Sequence, residues 1–179
     1  MNHNDHVRLI QSGIPEPGGI WADFGSGQGA FTLALAECIG ESGEIYSIDR
    51  NKNALTSQKQ AMDVRFPDVK VHYILADFSR SLQLPFLDGV IMANSLHFFN
   101  RKDTLLKRIR SYLKPGGRLI IVEYNVDRGN YWVPHPFSYP IWEMLADQAG
   151  FTHTRQLTTQ SSHFLGEMYS AVSWTGSEI

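Results

Sequence analysis

The sequence predicts a three-layer α/β/α fold around a mostly parallel, seven-stranded sheet that ends in an antiparallel hairpin. Three observations predict it. Short β-rich apolar runs alternate with amphipathic helical stretches, the pattern of a parallel sheet with crossover helices. The first such run passes directly into a glycine-rich turn and a helix. The tail, by contrast, carries two strand-like runs with no helix between them. With 179 residues, the chain suits one domain over 1–179 with a single core.

The elements follow in order. A short helix is expected around Val7 to Ser12, and Pro15-Glu16-Pro17-Gly18-Gly19 breaks the chain. Ile20 to Phe24 is the first strand, and Gly25-Ser26-Gly27-Gln28-Gly29 leads into a helix through Leu33, Leu35, Ala36 and Ile39. Gly40 and Gly43 close that helix. Glu44 to Asp49 is the second strand, followed by a helix from Asn51 to Arg65 that Pro67 ends. Val69 to Leu75 is the third strand, finishing at Asp77, and Gly89 to Ala93 is the fourth.

A helix from Asp103 to Leu113 is expected to stop at Pro115-Gly116-Gly117, and Arg118 to Tyr124 is the fifth strand. Asn125 to Phe137 is a loop rich in aromatics and prolines. Ser138 is the N-cap of a helix ending before Gly150, with Pro140 in its first turn. Phe151 to Leu157 and Phe164 to Trp174 form the closing hairpin, joined by Thr158 to His163. The domain thus divides into a short N-terminal segment (1–19), a core (20–124), an aromatic loop (125–137) and a last helix with hairpin (138–174).

Composition removes several function classes. Sixteen basic residues face 18 acidic ones, a formal net charge of -2, which gives no general electrostatic reason to bind nucleic acid or an anionic membrane. The single cysteine, Cys38, excludes an internal disulfide or a cysteine-based zinc site. Leu119 to Val122, the longest strongly apolar stretch, is far short of the ~20 residues that span a bilayer. The N-terminus shows no cationic start followed by an apolar run, so the expectation is a soluble, cytoplasmic domain. Arg101, Lys102, Lys107, Arg108, Arg110, Lys114 and Arg118 concentrate in one region and read as a solvated helix face. No histidine pair has the i, i+4 spacing of a helical zinc site, so no metal is expected.

The turn Asp23-Phe24-Gly25-Ser26-Gly27-Gln28-Gly29 lets a ligand approach the backbone at the start of a helix. Asp49, ending the next strand, can accept hydrogen bonds from both hydroxyls of a ribose. Gly25, Gly27 and Ala30 also satisfy the dinucleotide-binding pattern G-x-G-x-x-G/A, which would suggest an NAD(P)-dependent oxidoreductase. Asp23 argues against that reading. A pyrophosphate gains nothing from a nearby carboxylate, whereas a ligand carrying an ammonium and a sulfonium does. Nor is there a Tyr-x-x-x-Lys pair or a substrate domain.

On these residues the sequence resembles the class I S-adenosylmethionine-dependent methyltransferases, from about Ile20 to Trp174. The resemblance implies a Rossmann-like methyltransferase fold with S-adenosylmethionine as cofactor and S-adenosylhomocysteine as product. The family's D-x-G-x-G-x-G motif matches Asp23, Gly25, Gly27 and Gly29, implying contact with the methionine end. Asp49 matches the ribose-binding acid, and Asp77-Phe78 the pair at the adenine edge. Asn94 to Phe99 matches the segment after the fourth strand, and Leu113 to Leu119 the turn into the fifth. Ser26, Arg50 and Asn94 complete the expected cofactor-binding set.

Methyl transfer from a sulfonium demands no metal or oxyanion hole; it demands a nucleophile held ~3–3.5 Å from the methyl carbon with water excluded. A base is needed only if the nucleophile must lose a proton. Candidate catalytic residues are His97, His135 and Tyr124, and candidate acceptor contacts are His97, Tyr131, Trp132 and His135. His72 and His153 read as structural. Asn94-Ser95-Leu96-His97 is not the Asn/Asp-Pro-Pro-Tyr turn of base-amino methyltransferases, and Cys38 lies in a crossover helix, away from any cytosine chemistry.

The expected activity is methyl transfer to an O, N or C of a small-molecule acceptor, with no role for membrane or nucleic acid. A non-catalytic S-adenosylmethionine-binding accessory protein is the alternative. The family's N-terminal lid helices are reduced to about nineteen residues here. Either the aromatic loop and a partner subunit, as in a homodimer, close the site, or the pocket is open.

Overall fold

A computed structural model describes residues 1–176. The sheet has seven strands: β1 (Gly19–Phe24), β2 (Gly43–Asp49), β3 (Lys70–Leu75), β4 (Leu87–Ala93), β5 (Leu113–Tyr124), β6 (His153–Ser162) and β7 (Gly166–Trp174). Their order is β3-β2-β1-β4-β5-β7-β6. The first five are mutually parallel, and β7 runs antiparallel to both β5 and β6. The helices are α1 (His3–Ile10), α2 (Ala30–Ile39), α3 (Lys52–Arg65), α4 (Asp103–Tyr112) and α5 (Tyr139–Gln148).

Strand periodicity sorts the core into two layers. Ala22, Phe24, Val90, Met92, Leu119 and Ile121 face α4 and α5, packing with Leu106, Ile109 and Trp142. Trp21, Ile45, Ile91, Ile120 and Val122 face the other way, against Leu9, Leu35, Ile39 and Met62 of α1, α2 and α3. Central β4 and β5 are covered on both sides, which is why Val90 to Met92 and Leu119 to Val122 are unbroken apolar runs. The order reverses between β1 and β4, so the carboxyl ends of β1, β2 and β4 border the crevice where open α/β sheets take ligands.

Three boundaries depart clearly from the sequence reading. α1 starts at His3 because Asn2 and Asp5 form a capping box, each side chain accepting the other's backbone N–H. Pro115-Gly116-Gly117 does not separate α4 from β5: the strand begins at Leu113, paired with Leu87, and absorbs the glycines as an irregularity between Leu87 and Gly89. Thr158 to Ser162 continues β6, because pairing with β7 resumes after a register shift between Gln156 and Thr158. The hairpin therefore turns at His163–Leu165. The basic residues around α4 also disperse into separate contacts. Lys102 is buried, Lys114 pairs with Asp88 at 2.8 Å, Arg118 donates to the Gly13 carbonyl, and Arg108 to that of Ser79.

Candidate active site

The turn after β1 is built from backbone and side chain together. Gly25 and Ser26 N–H groups both donate to the Ile48 carbonyl, at 2.9 and 3.1 Å, tying the turn to β2. Gly29 sits at φ +88°, and a Cβ there would lie 2.3 Å from Cγ of Gln58, so neither conformation nor space admits a side chain. Gln58 is fully buried under the turn, its Oε1 accepting from Ser26 at 3.2 Å and Ser47 at 3.0 Å. Gly27, at φ +53°, has open space where a Cβ would stand, and its N–H donates to Asp49 Oδ2 at 2.8 Å. Asp49 Oδ1 accepts from Asn51 N–H at 2.7 Å, so the carboxylate at the end of β2 is fixed before any ligand arrives.

Two recesses meet at this edge, sharing Gly25 and Asn94. One, of about 350 Å³, is lined by Asp49, Arg50, Asp77, Phe78, Ser95 and Phe99 among others. The adjoining one, of about 300 Å³, is lined by Asp23, Ser26, Gly27, Phe31 and, from the N-terminal segment, Met1 and His6. Asp77 accepts from Ser79, which holds its carboxyl below the usual carboxylate range, with Arg80 and Arg50 adding to the effect. Phe78 stacks on Phe24 at 5.8 Å and tilts against Phe99 at 5.4 Å. His6 packs on Phe31 at 4.8 Å, and burial pulls its imidazole below the usual value.

The second recess is the electrostatically unusual one. Asp23 is buried, and desolvation pushes its carboxyl up to about 7, opposed by a hydrogen bond from Thr32 and reinforced by the charge of Asp49. Asn94 stands at φ 51°, and its buried Oδ1 has no hydrogen-bond partner among the described residues. A desolvated carboxylate and an orphaned carbonyl oxygen in one recess are complementary to a cation with N–H groups. The donor set therefore fits the ammonium of S-adenosylmethionine. Asp49 suits the ribose hydroxyls, and Asp77 with Phe78 a base edge.

Ten predicted cofactor residues therefore gather at one edge: Asp23, Gly25, Ser26, Gly27, Asp49, Arg50, Asp77, Phe78 and Asn94 line the two recesses, and Gly29 supports the turn. The predicted acceptor residues do not stay together. His97 follows Ser95 in a 3-10 turn (Leu96–Phe98), with Nδ1 2.6 Å from Oε2 of Glu123. Tyr124 is half-buried, its ring 6.4 Å from that of His97; burial and the Glu123 charge push its phenol up, which suits a neutral hydroxyl better than a base. His135 is exposed and lines a different recess, with Asn100, Lys102 and Asp127. Tyr131 and Trp132 pack edge-on to each other at 5.2 Å, 88% and 68% exposed.

The loop is nevertheless stitched to the His97 turn. His135 N–H donates to the His97 carbonyl at 3.0 Å, and Lys102 Nζ donates to the carbonyls of Phe99 and His135 at 2.7 and 3.0 Å. Lys102 also stands 4.9 Å above the Phe137 ring.

Sequence reasoning missed Glu123, Gln58 and Thr32, and it held Phe98 and Phe99 only within the matched segment after the fourth strand, with no site role. Glu123 had a signal: an acid ending an otherwise apolar, doubly covered strand needs a buried partner. Gln58, on a weakly amphipathic helix, had none.

Comparison with known proteins identifies the family. The family model for a methyltransferase domain matches residues 16–164. The chain belongs to that family, as a methyltransferase domain of the class I S-adenosylmethionine-dependent type. It is 32% identical over 107 residues to the ubiquinone/menaquinone biosynthesis C-methyltransferase UbiE of Azotobacter vinelandii, covering 58% of this chain and 41% of that protein. It is 28% identical over 114 residues to a 2-phytyl-1,4-naphtoquinone methyltransferase of Trichormus variabilis, covering 62% and 48%. The chain thus spans about half the length of the curated relatives it matches.

Among solved structures, the YcgJ protein of Bacillus subtilis superposes with a TM-score of 0.79 at 12% identity, covering 98% of this chain and 100% of that one. A phosphoethanolamine N-methyltransferase of Haemonchus contortus gives 0.78 at 15%, covering 98% and 53%. At these identities the likeness is one of fold.

Proposed function

We propose that this domain transfers a methyl group from S-adenosylmethionine to an O, N or C atom of a small-molecule acceptor. The observation that carries the reading is the pairing of buried Asp23 with the unpartnered Asn94 Oδ1 in the recess beside the glycine turn. In this reading Asp23 and Asn94 hold the cationic methionine end, Asp49 and Arg50 the ribose, and Asp77 with Phe78 the adenine. When bound, the cofactor supplies an electrophilic methyl group on a sulfonium sulfur.

The chain's own part is to bind, orient and exclude water. Asp49, already fixed by Gly27 and Asn51, meets the ribose hydroxyls without reorganising. Met1, His6 and Phe31 border the methionine recess. His97 takes a proton from the acceptor where one must be lost. Cys38, free of any disulfide, suits a reducing, cytoplasmic compartment. A second copy of the chain, closing the open side of the cleft, would make a homodimer the working unit.

Calorimetry tests the cofactor. S-Adenosylhomocysteine is expected to bind saturably and NADH not; tight NADH binding without S-adenosylhomocysteine binding overturns the reading. A screen of metabolite pools with methyl-labelled S-adenosylmethionine then tests turnover. Cofactor binding with no labelled product would make this a binding protein only.

A further inference from the structure

We infer that His6, carried on α1, is a specificity residue for the cofactor: its imidazole meets the α-carboxylate of the methionine end and so selects the intact amino acid. This rests on the methyl-transfer reading above, which leaves that carboxylate without a partner.

The methionine end is a zwitterion. Asp23 and Asn94 answer its ammonium, but the atoms they offer are acceptors, and the carboxylate beside that ammonium needs donors in the same recess. Two kinds of donor border it. One is the start of α2: its N-cap, Gly29, has no side chain to cap the first N–H groups, and Ala30 and Phe31 line the recess. The other is His6. No hydrogen bond engages its ring among the described residues, whereas His3, one turn earlier on the same helix face, meets Glu37 at 2.7 Å.

The docking of α1 puts His6 there. The capping box of Asn2 and Asp5 fixes the start of the helix, and Leu9 and Ile10 are fully buried in the layer that holds α2. His3 reaches Glu37 toward the end of α2, which leaves His6 over the first turn, half-buried, with its ring 4.8 Å from that of Phe31. A side chain so held lines the recess without first having to be ordered by a ligand.

The charged groups that face His6 are the Met1 ammonium, His3 and Asp5 from its own segment, and Asp23 of β1 from the same recess; its neighbour on α2, Phe31, carries no charge. Burial, the ammonium and His3 disfavour the imidazolium, and Asp5, the smallest influence, favours it. The ligand-free ring is therefore neutral at neutral pH and offers one N–H. A carboxylate hydrogen-bonded to it favours the imidazolium, so binding draws a proton from solvent onto His6 while the ammonium favours the anion of Asp23. The recess then opposes each charge of the zwitterion with its complement, and a ligand lacking the carboxylate gains nothing from His6.

The test compares S-adenosylhomocysteine with its decarboxylated analogue, which keeps the amine, by calorimetry. The wild type is expected to prefer S-adenosylhomocysteine about tenfold or more. His6→Phe keeps a ring against Phe31 and removes the N–H. It should cut that preference about tenfold by weakening S-adenosylhomocysteine alone, with the analogue's affinity within about twofold of wild type. His6→Gln, which retains a side-chain N–H, should keep more of the preference than His6→Phe. A preference unchanged in His6→Phe, or equal weakening of both ligands, overturns the assignment. Should His6→Phe not fold, the wild-type imidazole decides by NMR titration: its midpoint should move to higher pH with S-adenosylhomocysteine and not with the analogue. A midpoint that stays, or that moves with both ligands, overturns the role of His6. S-Adenosylhomocysteine bound without preference over the analogue likewise removes His6 from the site and leaves the cofactor reading standing. Absence of S-adenosylhomocysteine binding to the wild type sinks the methyl-transfer reading itself.

Discussion

Thr32 Oγ1 donates to Asp23 Oδ2 at 2.6 Å, across the gap between β1 and the first turn of α2. It is the only side-chain hydrogen bond to a buried carboxyl among the described residues' bonds to Asp23, and it does not offset the desolvation that pushes the group up to about 7. The ligand-free protein therefore holds an acid whose natural complement is a cation.

The sign of the pH effect follows. The folded value lies above the ordinary 3.8, so the folded state keeps a proton that the unfolded chain has lost. The stability this contributes is full below 3.8 and is lost as pH rises through about 7. The melting temperature of the ligand-free protein should fall over that interval, and Asp23→Asn should flatten the slope. An ammonium beside Asp23 favours the carboxylate, so S-adenosylhomocysteine binding near about pH 6 should release up to one proton. Calorimetry in buffers of different ionisation enthalpy counts it; the same count in Asp23→Asn would refute the assignment.

Asp49 acts through both oxygens. Asp49→Ala should weaken S-adenosylhomocysteine about 10- to 100-fold, from the ~1.5–3 kcal/mol net of a charged hydrogen bond. Unchanged affinity would remove Asp49 from the ribose site.

Two glycines of one turn should fail differently. Gly29→Ala meets Gln58 and an unfavourable φ together, and should cost about 2–4 kcal/mol of stability in denaturant titration. Gly27→Ala has room, so its cost should be only about 1–2 kcal/mol, with the larger loss appearing in cofactor affinity because its methyl group enters the cleft. Equal stability losses would contradict the packing described here.

Lys102 holds two carbonyls from separate segments. Lys102→Met should leave both without a donor and destabilise the domain by about 1–3 kcal/mol. Hydrogen exchange should quicken at Phe99 and around His135 while β1 and β2 stay protected. Uniform exchange throughout would mean that Lys102 does not tie the loop to the turn.

The strand-helix order, the glycine turn and the acid ending β2 were all legible in the sequence, because periodicity and turn chemistry are local. Residues 23 to 29 and 49 carry the cofactor reading within one strand-turn-helix-strand unit. Boundaries were less legible where pairing overrides local signals: Leu113 to Gly117 is strand because β4 lies beside it, and Thr158 to Ser162 because β7 does.

Local patterning along the chain lays out the strands and sets the glycine turn and Asp49 within one strand-turn-helix-strand unit. Long-range packing settles which histidine stands with a buried carboxylate. His97 and Glu123 are 26 residues apart, and they meet because β4 and β5 are neighbours whose ends lie side by side. His135, equally plausible as a sequence, comes to rest in a separate recess because Lys102 and the His97 carbonyl hold only its backbone. Local periodicity encodes an element; the pairing of strand ends, set by long-range packing, brings His97 and Glu123 together.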